Sequence, residues 1–400
     1  MTHIRRTNKK QRLWLRLSAL LGLFLMGTAD LSAQEKNSGA QTRLEVKSEG
    51  YTSSEICARC HKDIHADWRT SMHAQSLDDP IFQVAFLQAQ VKSGVKIREY
   101  CLFCHAPTVQ FTKDYFLTDP VTREGVTCDF CHTVTAVRPG DRLKPYDFQP
   151  GPVKHGPFGG LESPIHQTKL SDIHLRSEFC GGCHELINSH GVRVMGTYTE
   201  WKEGPYAAED IHCQNCHMPM AFDKKVVEPW VKVSDKLVTA HEFRGGHSQI
   251  NLRHAATVEL EVTREDQLIK VTTYVTNQES GHKLPTGTPA RRVVLTVSAK
   301  DDKGNVIAET RRVYRKVLVD KDRVILEDNA DLILNSVAIF SDNRIAPRER
   351  RKEEFLINLP LNAKNVHVEA ELKYEFEMPT MSTQKVEVEM AKNSKVLKIR

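Results

Sequence analysis

The chain has 400 residues, 56 Lys and Arg against 51 Asp and Glu, and ten cysteines. That length favours two domains over one. The formal charge of +5 resides in the first 33 residues: taking away their six basic residues and Asp30 leaves 50 of each sign, so the remaining chain offers no charge argument for nucleic-acid binding.

The N-terminal segment reads as a secretory signal. Arg5, Arg6, Lys9, Lys10, Arg12 and Arg16 precede the apolar run LSALLGLFLMG at 17–27, and LSA at 31–33 offers a cleavage site before Gln34. An uncleaved anchor is the alternative, but the run is well short of the ~20 residues that span a bilayer. No cysteine lies there to carry a lipid. Residues 34–52 read as a linker.

The stretch SSEICARCHKDIHADWRTSMHA, from Ser53 to Ala74, predicts a helical segment opened by a serine cap, and PIFQVAFLQAQVKSG predicts a helix from Pro80 ended by Gly94. Residues 138–166 are rich in Pro and Gly and read as a long loop ordered on a cofactor. After residue 254 the cysteines stop and period-two alternation begins, with Val258, Leu260 and Val262 on one face of ATVELEVTR. Further alternating runs and a DDKGN turn at 301–305 predict an antiparallel, Ig-like β-sandwich over 255–400.

All ten cysteines fall in five CxxC pairs, each followed by histidine. They are Cys57/Cys60/His61, Cys101/Cys104/His105, Cys128/Cys131/His132, Cys180/Cys183/His184 and Cys213/Cys216/His217. This pattern attaches haem c: the two thiols bind the haem vinyl groups and the histidine ligates iron. Zinc ribbons and thiol redox sites use CxxC but do not need histidine after every pair. The reading is therefore five covalent haems c within residues 53–254, with five proximal ligands. The fold class is α+β: a haem-dense domain of short helices and loops, followed by the β domain.

Candidate distal ligands are His73, His155, His166, His241, His247 and His282; His65, His174, His190 and His254 are less distinctive. Met218 and Met220 read as packing residues. In IHCQNCH, at 211–217, His212 precedes the first thiol, so it is a candidate only for a neighbouring haem.

CARCHKDIHADWRTSMHA and GVTCDFCHTV resemble the cytochrome c-554 family of multihaem electron carriers, over roughly residues 53–220. The resemblance implies a distal-ligand role for His73. HEFRGGH, GHKLPTGTPARR and DNRIAPRE look like segments of multihaem cytochromes that end in a β domain, which implies haem-contacting loops. The fifth motif and the β domain depart from the c-554 pattern, so that carrier's partners are not transferred.

The expectation is an exported electron-transfer protein, periplasmic or at the cell surface, with mostly bis-histidine haems and redox proteins as partners, among them a membrane or outer-surface redox complex. The alternative is a multihaem reductase or oxidase of a small nitrogen or sulfur compound at one open iron. No CxxCK motif, typical of pentahaem nitrite reductases, is present. Asp210, Glu185 and Tyr198 would be its acid–base candidates, against the plainer reading of loop polar groups. The sequence carries no argument for a nucleic-acid partner or for any oligomeric state.

Overall fold

The computed structural model describes residues 45–141, 144–158, 163–227, 238–359, 364–377 and 385–399; the signal-peptide reading falls outside them. Leu44–Arg400 form one compact unit. Among the described residues no helix is long and apolar enough to cross a membrane.

The haem-motif region has short helices. Ser53 caps Ser54–Cys57 by accepting from the Glu55 amide, and the chain restarts as α1 (Lys62–Thr70). The stretch from Ser53 is thus two helices, because His61 turns out of helical geometry between them (φ −100°, ψ 51°). Asp79 caps α2 (Pro80–Ser93), which ends at Gly94 as expected, and α3 (Ile97–His105) carries the second motif. Leu102, Ala106 and Val109 form a small core there with Phe82 and Phe86.

The Pro/Gly-rich stretch is more regular than a bare loop. Val134–Val137 pairs antiparallel with Tyr146–Phe148, and Val153–Gly156 pairs parallel with Gln167–Leu170. Tyr146 packs edge-on against Phe130, with ring centres 5.4 Å apart, and anchors a second small core with Tyr51 and Val134.

Seven of the described strands build the two larger sheets of the β region: β1 (Ala256–Glu265), β2 (Leu268–Asn277), β3 (Arg291–Lys300), β4 (Val306–Tyr314), β5 (Arg350–Asn358), β6 (Asn365–Glu377) and β7 (Lys385–Lys398); Lys316–Val319 and Ala338–Asp342 form a separate pair. The three-stranded sheet has the order β5-β2-β1 and the four-stranded sheet β4-β3-β6-β7. All pairings are antiparallel.

The period-two pattern explains the core. Ala256, Val258 and Leu260 point inward from β1, and Val366, Val368, Ala370 and Leu372 from β6. Both sheets bury these residues in one cluster. The same cluster takes in Val192 and Val194 of the motif region, so the β region shares its core with the segment that follows the fourth motif.

Candidate haem-binding site

A single cavity of about 1560 Å³ runs through the motif region, and all ten cysteines and all five motif histidines line it. That is more than the ~300–1,000 Å³ of an ordinary one-ligand pocket. None of the ten cysteines is in a disulfide, and among the described residues no three His, Cys, Asp or Glu side chains cluster as a metal site.

Each motif forms one tight helical turn. At the third, the Thr127 hydroxyl accepts from the Phe130 amide and starts the turn Cys128–Cys131. Asp129 inside it is buried; its carboxylate accepts from the Thr52 amide at 2.6 Å and meets the Lys154 ammonium.

Four motif imidazoles are oriented through Nδ1 by backbone carbonyls: His61 by Val226 (2.6 Å), His105 by Ser76 (3.1 Å), His132 by His155 (2.7 Å) and His217 by Arg244 (2.5 Å). An Nδ1–H held this way leaves Nε2 as the lone-pair nitrogen, the usual arrangement around a metal-bound histidine. His166, His241 and His282 carry the same mark, on the carbonyls of Gln167 (3.2 Å), Thr239 (2.8 Å) and Lys283 (3.0 Å). The carbonyls of Ser76, Val226 and Arg244 are invisible to motif reading, because a backbone oxygen has no sequence signature.

Distances between rings sort the histidines further. With a metal–imidazole bond of ~2.0 Å and a nitrogen ~1.1 Å from its ring centre, two imidazoles on opposite faces of one metal have centres roughly 6.3 Å apart. His61 and His166 stand 6.2 Å apart, His73 and His184 6.2 Å, and His217 and His282 6.4 Å. His241 neighbours His132 closely enough for their charges to oppose each other, behind desolvation as the larger effect. His105 differs: its ring is stacked on Phe82, with centres 3.8 Å apart.

The other candidates sit elsewhere. His155 gives its backbone carbonyl to His132, and its own Nδ1 is buried without a partner. His247 lines the cavity near Arg291 and Asp79. His174 stacks parallel to His132 at 5.7 Å but spends both nitrogens, on the Ser171 hydroxyl and the Cys131 carbonyl. His212 likewise spends both, on Ser177 and Asp210. Asp210 is thus engaged with His212, and Glu185 with Arg193 and Thr199. Tyr198 lies within reach of Glu178 at 3.5 Å.

Burial disfavours the charged form of His73, His184, His241 and His282. Desolvation, the leading cause in each case, pushes His73 down to about 3 and His184, His241 and His282 down to about 4. A neutral imidazole is what a metal requires.

The motifs also touch one another. The Cys57 thiol contacts Cys128, Cys104 contacts Cys183, and Cys180 contacts Cys213. Tyr146, packed on Phe130 of the third motif, donates its hydroxyl to the Phe179 carbonyl at 2.9 Å and reaches Cys183 of the fourth at 3.5 Å. The contiguity therefore runs first, third, fourth, fifth, with the second motif against the fourth.

Residues 56–133, spanning the first three motifs, match the family described as cytochrome c554 and c-prime. No curated protein matches the chain. The structure is similar to a pentahaem cytochrome c552 from Thermochromatium tepidum, with a TM-score of 0.72 and 24% identity over 86% of this chain and 99% of that one. The chain has the fold of a multihaem c-type cytochrome. The residues present fit haem c: paired thiols, an adjoining imidazole, and a cavity that joins all the motifs.

The likeness necessarily includes the β region of this chain, since residues 45–254 are only about half of it. The ApaA protein from Bordetella pertussis (13% identity, 36% of this chain, 90% of that one, TM-score 0.20) and a β-glucuronidase of glycoside hydrolase family 2 (10%, 36%, 11%, 0.19) are too distant in structure to carry an argument.

Proposed function

We propose that this cytochrome is an exported pentahaem electron-transfer protein, with haem c at each of the five CxxCH motifs and bis-histidine ligation at four. The observation that carries the reading is the unbroken contact from motif to motif. Haem c, when bound, supplies reversible one-electron chemistry. The chain's own residues fix spacing and orientation: the motif cysteines would hold the haems, and backbone carbonyls orient seven of the imidazoles. The iron of a bound haem would be held by His61 with His166, His184 with His73, His132 with His241, and His217 with His282. The N-terminal basic–apolar segment supports export, to the periplasm or cell surface. The partners are redox proteins, including a membrane or outer-surface redox complex.

One observation favours a second reading at one site. Phe82 covers the His105 ring, and none of the anchored histidines stands opposite it. An iron held by His105 alone would be open to a small nitrogen or sulfur compound.

Rapid mixing separates the two. The fully reduced protein should pass its electrons to a one-electron acceptor with no small-molecule substrate present. Turnover of nitrite, hydroxylamine or sulfite at ~1 s⁻¹ or faster, in the range of working enzymes, would put catalysis first.

A further inference from the structure

Arg291 opens β3 and turns its side chain into the cavity, where His184, His247, His282 and Tyr374 also lie. Its Nη1 reaches only the Thr286 carbonyl, at 3.3 Å, and its Nε is buried with no hydrogen-bond partner. The backbone makes room for it. Gly287 has φ +86°, and a Cβ there would stand 2.8 Å from Nη1; one on Gly246 would stand 3.5 Å away. The guanidinium is therefore seated between the GHKLPTGTPARR and HEFRGGH segments.

A half-buried guanidinium whose Nε is shielded from water calls for an anion. Among the described cavity-lining residues the Lys and Arg are Lys154 and Arg291, and Lys154 is matched by Asp129. The carboxylates there are spent: Asp79 caps α2, Asp129 holds Lys154, and Glu279 lies by His254. The Arg291 fork suits a carboxylate held from outside the polypeptide.

We propose that Arg291 binds a propionate of one of the two haems that meet at His184 and His217, so that the β region sets the charge, and with it the potential, of that haem. The inference rests on haem attachment at Cys180/Cys183 and Cys213/Cys216. A cation beside the propionate disfavours the oxidised, more positive iron. Removing it lowers the midpoint and leaves the propionate easier to protonate.

The test is a redox titration of the haem-loaded protein as wild type, Arg291→Gln and Arg291→Lys. Haem content by mass is expected to match in all three. Arg291→Gln should lower one midpoint by a tenfold change in its equilibrium, 59 mV for a one-electron couple, and make it more pH-dependent. Arg291→Lys should recover part of the shift. Unchanged midpoints in fully loaded variants would overturn the proposal. If Arg291→Gln fails to load haem, Arg291→Met, which also removes the charge, decides: a wild-type midpoint there overturns it. Wild-type peptides lacking haem at the fourth and fifth motifs would instead overturn the attachment reading.

Discussion

The imidazoles of His73 and His184 stand 6.2 Å apart, although one follows the first motif and the other ends the fourth. A histidine from one motif's flank thus faces the motif histidine of another, so under the proposed ligation a lesion at His73 should register at the fourth haem. In His73→Gly one low-spin haem becomes high-spin by electron paramagnetic resonance, and the same signal is lost in His184→Gly. Loss of two different signals in the two variants would break the assigned pair.

Gly125 supports that turn. It holds φ +73°, and a Cβ there would stand 2.5 Å from the Ser76 hydroxyl and 2.7 Å from the His73 carbonyl. The following Val126 amide donates to the His73 carbonyl at 3.0 Å, and the Val126 carbonyl accepts from the Trp68 indole at 2.8 Å. Gly125→Ala should cost about 1–3 kcal/mol by forcing this strained conformation. It should also broaden the spectra of the haems ligated by His73 and His105, whereas a Gly50→Ala control, with open space around the Cβ, leaves the spectra alone.

Arg344 ties the β region to the motif region. It meets Glu200 at 2.7 Å and Asp342 at 2.8 Å, and donates to the Pro285 carbonyl at 3.2 Å. Arg344→Met strips the cation from the Glu200 carboxylate, whose side chain is 7% exposed, while Asp342 keeps Lys283, and should cost about 3–5 kcal/mol by denaturant titration. The spectrum of the His217–His282 haem should shift with it, because Leu284 and Ile345 join the two loops by backbone hydrogen bonds.

Acid should weaken the same junction. Burial opposes ionisation of Asp342, but Arg344 and Lys283 outweigh it and hold the carboxyl well below the ordinary carboxylate range. A depressed folded value stabilises above the unfolded value of ~3.9 and is lost as pH falls below it. Stability of the wild type should therefore drop below about pH 4, and Asp342→Asn should flatten that drop.

Leu295 probes the β core at a residue that does not line the cavity. Leu295 is fully buried opposite Leu372. Leu295→Ala should cost about 2–5 kcal/mol and lower the melting temperature while leaving haem spectra unchanged.

That the five motifs share one cavity fits their reading as one kind of site, legible because CxxCH is a local pattern, and β1 was legible because burial follows its alternation. The axial pairs were not. His166, His241 and His282 could be named as candidates, but their partners depend on chain crossings that residue spacing does not encode. His155 looked like a ligand because it lies in a loop ordered on the cavity, yet what it gives is a carbonyl. The Pro/Gly-rich stretch hid short strands because each is only three or four residues long, too few for alternation to show. Arg291 was visible inside GHKLPTGTPARR, but its lack of an anion appears only in three dimensions.

The central claim is a relay of five haems, four with two protein histidines and one without. Electron paramagnetic resonance of the oxidised, fully loaded protein, followed by carbon monoxide titration of the reduced form, counts both classes at once. The account predicts four low-spin haems and one carbon monoxide-binding haem, lost in His105→Ala. Five low-spin haems that all resist carbon monoxide, or an open haem that survives His105→Ala, would contradict it.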